Sequence, residues 1–281
     1  MTVFQLSIEE VTFALGFLGG ADAAAGYLTA ITGQLSTDEL AGRVTAATHS
    51  LLGRDLLIID SVSGDGSMNP DLRETIAALM TGENSLRVTV TTQGMDEVVT
   101  FFLDGDRPVR HQLIQDVVTR LVLLPDIDAV AEDIVRMMCP VALEEPAESI
   151  RVDVIPADIL RQARLLAATA SAAQQMALLQ RVLPVETAAR LASDFGDAQA
   201  RWGAVLRLST GTGETLEANQ GFFTVALADH GWLFDLASDP ARADVYLLNA
   251  SSVQKATRQL TIQDRGRTEN ALPASAKSVL S

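Results

Sequence analysis

Apolar and polar positions change period several times along the chain. From Ser7 the apolar residues fall at Val11, Leu15 and Leu18, one face of a helix. Ser7, followed three residues later by Glu10, forms a capping box, and Gly19-Gly20 ends the run. A short Ala-rich helix is predicted over residues 22–32. Ser36 caps a third helix, with Asp38 and Glu39 in its first turn and Leu40, Val44, Ala47 and Leu51 on one face as far as Leu52. After Gly53 the segment 56–59 reads as a short strand and Asp65-Gly66 as a turn. Asn69-Pro70 opens another helix, because proline at the first helical position forfeits no hydrogen bond; Leu72, Ile76 and Leu79 form its face.

Beyond Gly82 the period shortens to two. Leu86, Val88 and Val90 alternate with Arg87 and Thr89, predicting a half-buried strand over 85–92. Strands follow at 97–103 and 109–114, joined by the hairpin signal Asp104-Gly105-Asp106. Residues 117–124 fit either strand or helix, and 126–138 is a helix with Ile127, Val130, Ile134 and Met137 on one side. The Pro-flanked acidic segment 140–150 reads as a connection, and 152–155 as a short strand. Residues 157–200 are helix-forming, with breaks near Ala170 and at Pro184. Strands return at 204–209, 222–228 and 232–236, with a polar loop at 211–219 and a turn at Asp229-His230-Gly231. A closing helix is predicted over 246–260, and the polar residues 263–281 read as a disordered tail.

The order of elements therefore recurs. Helices, strands with a tight turn and a closing helix appear twice, and an offset of about 125 residues lays Asp104-Gly105 over Asp229-His230. The expected fold class is α+β: two pseudo-symmetric halves with antiparallel sheet packed by helical bundles. Residues 1–145 form the N-terminal half and residues 146–262 the C-terminal half, both expected in one continuous domain.

Composition narrows the function. The 281 residues carry 36 acids against 21 Lys and Arg, a net charge of −15, and lysine occurs only at Lys255 and Lys277. Affinity for phosphate backbones comes from clustered Lys and Arg, so nucleic acid is not an expected partner. The segment from Met1 has no basic stretch ahead of an apolar run and carries Glu9 and Glu10, and no apolar run reaches bilayer length. Cys139 is the single cysteine, so an internal disulfide is impossible and the residue reads as a small buried hydrophobe. Together these features lead us to expect a cytoplasmic protein.

The segments LSIEEVTFALGFLG (6–19), LSTDELAGRVTAATHSLLGRDLL (35–57), EVVTFFLDGDRPVRH (97–111) and GFFTVALADHGWLFDLA (221–237) resemble the EspG family. The resemblance extends over residues 5–260. It implies an acidic, quasi-twofold chaperone of type VII secretion that is not an enzyme. It further implies that the protein binds helical secretion substrates of the paired PE–PPE kind and keeps them soluble.

Candidate chemistry is sparse, and no catalytic, cofactor or metal residues are expected. His49, His111 and His230 share no HxxxH, HxH or HExxH spacing. No GxSxG elbow accompanies a Ser-His-Asp set. Gly211-Thr212-Gly213-Glu214 lacks the lysine of a phosphate loop, and Asp60, Asp65 and Asn69 lack the spacing of a calcium loop. Glu144, Glu145 and Glu148 lie in the Pro-flanked acidic connection and read as a solvated charge cluster rather than paired acids for hydrolysis. Residues 36–68 have the outline of a winged helix, but helix 37–52 offers only Arg43 as a cation. The leading reading is a protein-binding chaperone, with contacts expected from the loops 91–96 and 211–219 and the Ala-rich helices of 157–200. The alternative is an enzyme of unrecognised class with a site assembled from distant residues.

Overall fold

Strand β1 (Thr2–Ser7) buries Phe4 and Leu6 and runs straight into helix α1 (Ile8–Gly19). The structure, a computed structural model, describes residues 1–33, 36–82, 84–115, 117–139, 143, 148–167, 171–210, 216–237 and 239–262. Helices α2 (Ala21–Thr32) and α3 (Thr37–Gly53) follow, then a small hairpin of β2 (Leu57–Ile59) and β3 (Gly66–Met68), and helix α4 (Pro70–Thr81). A meander of β4 (Asn84–Thr92), β5 (Met95–Phe102), β6 (Val109–Ile114) and β7 (Val118–Leu123) leads to α5 (Ile127–Met138). The later chain forms β8 (Arg151–Pro156), then α6 (Ala157–Ala167), α7 (Ala172–Leu179) and α8 (Val185–Phe195). It ends in β9 (Arg201–Thr210), β10 (Leu216–Ala226), β11 (Gly231–Asp235), β12 (Arg242–Leu247) and α9 (Ala250–Ile262).

The fold is α+β, with a ten-stranded antiparallel sheet ordered β1-β7-β6-β5-β4-β9-β10-β11-β12-β8 beside the two-stranded β2-β3 sheet. The order is mirrored about its middle: β1 pairs with β7 as β8 pairs with β12. The repeat read from the sequence is therefore carried by strand pairing, and it includes two strands that the periodicity does not predict. The chain forms two compact units, one of residues 1–88, 98–130 and 208–217, the other of residues 89–97, 131–207 and from 218 onward.

In the first unit, Leu6, Val11, Leu51, Leu72, Ile76, Val109 and Leu121 form one apolar core. Its polar pin is Glu10, only 5% exposed. One carboxylate oxygen accepts from the Ser7 N–H at 2.7 Å, completing the capping box. The other accepts from Ser50 Oγ at 2.8 Å and Arg54 at 3.0 Å, so a local cap also ties α3 to α1. The two-residue β4–β5 turn, which belongs to the second unit, is formed by Gln93 (φ 52°) and Gly94 (φ 77°), where left-handed backbone matches the twist of the strands and favours glycine.

In the second unit, Leu160, Leu179, Leu191, Phe195, Trp232, Phe234 and Val245 form the core beneath α6–α8. Alternation along β9 turns Trp202 and Ala204 to one face and Val205 and Arg207 to the other. On that second face buried Arg207 donates to the Leu260 carbonyl at 2.9 Å, holding the last turn of α9. Strand β11 is buried along its whole length, as a strand covered on both faces must be.

Several expectations change. β1 is absent from the sequence reading, although its register with β7 runs unbroken from Thr2↔Leu123 to Ser7↔Val118. Residues 118–123 settle as strand. The closing helix begins at Ala250 rather than residue 246, because 242–247 is strand β12. A reciprocal cap marks that boundary: Asn249 Oδ1 accepts from the Ser252 N–H at 2.8 Å, and Ser252 Oγ accepts from the Asn249 N–H at 3.0 Å. Of the loop 211–219, residues 216–219 belong to β10, and 211–215 lie outside the described residues. The same holds for the break at 168–170, for most of the connection 140–150 and for 263–281.

The outermost strands carry side chains against their own backbone. The Gln5 carbonyl of β1 accepts from Arg54 at 3.0 Å, and Asp153 of β8 accepts from the Val154 N–H at 2.8 Å. Replacing Glu10 tests the N-terminal pin. Glu10→Ala should cost about 2–3 kcal/mol, because a buried charged acceptor that bonds Ser7, Ser50 and Arg54 is lost. Glu9→Ala, which removes a half-exposed ion pair with Arg43, should cost less than about 1 kcal/mol. Urea unfolding midpoints at constant slope measure both, and equal small losses would contradict the assignment.

Candidate functional site

Helix α6 places its residues by helical period. Leu160 and Ala163 are buried in the core, while Arg161 and Arg164, three apart, share an exposed face. That face borders an open cleft of about 330 Å3 whose far side is built from β9, β10 and the residues after β11. Leu160, Leu206, Phe223 and Leu236 give it apolar walls, and Arg161, Arg164 and Gln220 supply the polar atoms. The volume lies at the low end of the ligand-pocket range of roughly 300–1,000 Å3. Gly221 lets the backbone form part of the lining: a Cβ there would overlap the Val205 carbonyl of the neighbouring strand.

Arg164 makes two cation–π contacts. Its guanidinium carbon lies 5.5 Å from the Trp202 ring centroid and 5.8 Å from that of Phe223. Those rings are anchored in turn. Phe223 stacks on Phe234 at 4.5 Å, and Trp202 meets Phe195 at 5.3 Å. Among the described residues no carboxylate pairs with Arg161 or Arg164, whereas Arg43, Arg54, Arg107, Arg136 and Arg151 all have one.

A second polar cluster lies at the β10–β11 turn. Trp232 Nε1 donates to the buried Asp194 carboxylate of α8 at 2.6 Å, and His230 Nε2 lies 3.2 Å from the same oxygen. His230 Nδ1 lies 2.7 Å from Asp229, and the Arg190 guanidinium sits 5.4 Å above the Trp232 ring. The hydrogen bond to Asp229 is the main cause of a raised His230 pKa, with Asp194 adding to it. The arrangement fastens the turn to α8.

The histidines stand on separate elements. His49 is exposed on α3. His111 lies in β6 edge-on to Phe102 at 6.2 Å, and burial depresses its pKa to about 4. Its Nε2 is buried without a hydrogen-bond partner among the described residues. No group of three His, Cys, Asp or Glu side chains able to hold a metal occurs among the described residues. Asp60 folds onto its own turn, accepting from the N–H groups of Val62 and Ser63 at 2.7 and 2.9 Å, and Asn69 caps α4. Arg43 is paired with Glu9 and Glu39, so α3 presents no bare cation there. Residues 211–215, Glu144 and Glu145 lie outside the described residues. In the 91–96 segment Thr91 Oγ1 donates to Asp96 at 2.6 Å, and Met95 is exposed. The alanines Ala163, Ala188 and Ala192 are spent on the core of their own unit. Sequence reasoning missed the cleft; its one local signal was the arginine pair on α6, because Trp202 and Phe223 reach it from distant strands.

Among solved structures, the chain is similar to the Mycobacterium tuberculosis type VII secretion system chaperone EspG5, determined in complex with a PE25–PPE41 dimer. The TM-score is 0.58 at 10% identity, over 92% of this chain and 96% of that one. At that identity the likeness establishes the fold. No family model matches the sequence, and no curated protein matches it.

The two buried or bridged histidines should affect stability with opposite signs. An unfolded histidine takes a proton near pH 6.5, but His111 refuses it until about pH 4. Stability present at neutral pH is therefore lost as pH falls through that window, by roughly 3 kcal/mol at full effect. His230, with its raised pKa, contributes stability below its unfolded value that disappears as pH rises through its folded value. Urea unfolding of wild type, His111→Phe and His230→Gln between about pH 4 and 8 separates them, since the Phe variant should flatten the acid slope. Proton NMR showing both rings titrating together at the unperturbed value would refute the assignment.

Proposed function

We propose that the chain is a non-enzymatic, cytoplasmic binding protein of chaperone type. Its client is a helical secretion substrate of the PE–PPE kind, kept soluble by having apolar surface covered. The observation that carries this reading is the end-to-end correspondence of fold with a chaperone caught in complex with such a dimer. The chemistry of the cleft fits it. An open depression with leucine and phenylalanine walls suits the apolar end of a helical hairpin, and the rigid aromatic stack beneath it lowers the ordering cost of binding. The strongly acidic surface favours a soluble carrier. The cleft, with the β9 and β10 residues that line it, and the exposed β4–β5 turn are the surfaces offered to the client.

Co-expression with PE–PPE pairs from the source genome tests this. One pair should co-elute with the chain from size exclusion as a stable complex. An interface of the usual ~1,600 Å2 should hold it at a Kd of about micromolar or tighter. Each pair eluting apart from the chain, with solubility unchanged by its presence, would refute the reading.

A further inference from the structure

We infer that the α6 cleft selects a partner segment carrying a carboxylate beside a bulky apolar side chain. The inference rests on the reading above that the cleft receives a client, and it specifies the chemistry of what enters. Three observations lead to it. The cleft is cationic on a chain of net charge −15, with 36 acids available to neutralise 21 basic residues. Arg161 and Arg164 nevertheless have no carboxylate partner among the described residues, unlike the arginines of α3, β8 and the β5–β6 connection. Arg164 is also placed by its surroundings: its guanidinium carbon lies over both the Trp202 and the Phe223 rings, which limits where the side chain can go.

Solvated, snorkelling arginines on a helix face would need no such platform. A guanidinium without a carboxylate partner can take one bidentately, and a side chain already resting over two rings has less freedom to lose on binding. Leu206, exposed in the free chain, and Phe223 lie in the same cleft and supply the apolar contact for the residue beside the acid. A neutral or basic segment of equal shape would leave the arginines desolvated without an acceptor, which is a penalty against the wrong partner.

The test uses the full chain and three fluorescein-labelled peptides, Ala-Leu-Glu-Phe-Leu-Ala and its Gln and Lys counterparts at the third position. Fluorescence anisotropy should show the Glu peptide binding wild type about tenfold tighter than the Gln peptide, with the Lys peptide weakest. That preference should shrink as salt is raised. In R161Q/R164Q the Glu preference should vanish, and in R161E/R164E the order should reverse. These arginines are exposed, so thermal melts of both variants should match wild type. Equal binding of the three peptides, no binding of any, or a Glu preference that survives R161Q/R164Q would overturn the inference. So would a concentration-dependent dimer of the free chain abolished by R161E/R164E, which would make a second copy the occupant. A PE–PPE pair that co-elutes equally with wild type and R161E/R164E would overturn the acidic selection while leaving the chaperone reading intact.

Discussion

Each half of the sheet is closed by its own first strand, and the rest of the architecture follows from that pairing. β1 joins β7 and β8 joins β12, so the chain must next travel past the whole meander before it lays down β4 or β9. At about 4.8 Å per strand, that crossing spans roughly 19 Å. The sequence covers the distance with helices, α1–α4 in one case and α6–α8 in the other. These helices are bound to lie over a sheet face, and the apolar face they cross needs a cover. The pairing is long-range, so it draws no stability from local propensity and depends on side chains that lock the junction. Glu10 fulfils that role at the β1–α1 corner, where one buried carboxylate serves strand end, helix start and a second helix.

The cleft is a by-product of the same layout. Helices crossing a twisted sheet touch it along a limited stripe, and beside the stripe the sheet is left open. In the second unit that opening falls between α6 and the β9–β10 strands. Aromatic residues fill the stripe, and the arginines of α6 extend over its margin. The cleft is thus built on regular elements, with its ring side chains packed against the core.

Legibility from sequence followed locality. Helices with caps were readable because a Ser, Asn or Pro and its partner lie within a turn of each other, as at Ser7–Glu10 and Asn69-Pro70. The meander strands were readable from alternation. β1 was not, since only Phe4 and Leu6 mark it and its partner lies far along the chain. β12 was hidden because Tyr246 and Leu247 run into the apolar spacing of α9; the Asn249–Ser252 cap was the overlooked signal. The cleft combines both limits. Arg161 and Arg164 are near neighbours on one helix face, but what distinguishes Arg164 from a solvated cation is the pair of aromatic rings supplied by β9 and β10.

The outermost strands have a consequence for how this molecule meets other chains. Unpaired strand backbone invites addition of a foreign strand, the usual route to polymerisation. Here Arg54 occupies the Gln5 carbonyl, and Asp153 occupies the Val154 amide of its own strand. A side chain bonded to such a backbone group competes for it with an incoming strand. Main-chain addition is blind to sequence, so a border guarded in this way leaves encounters with other chains to side-chain surfaces, which can discriminate.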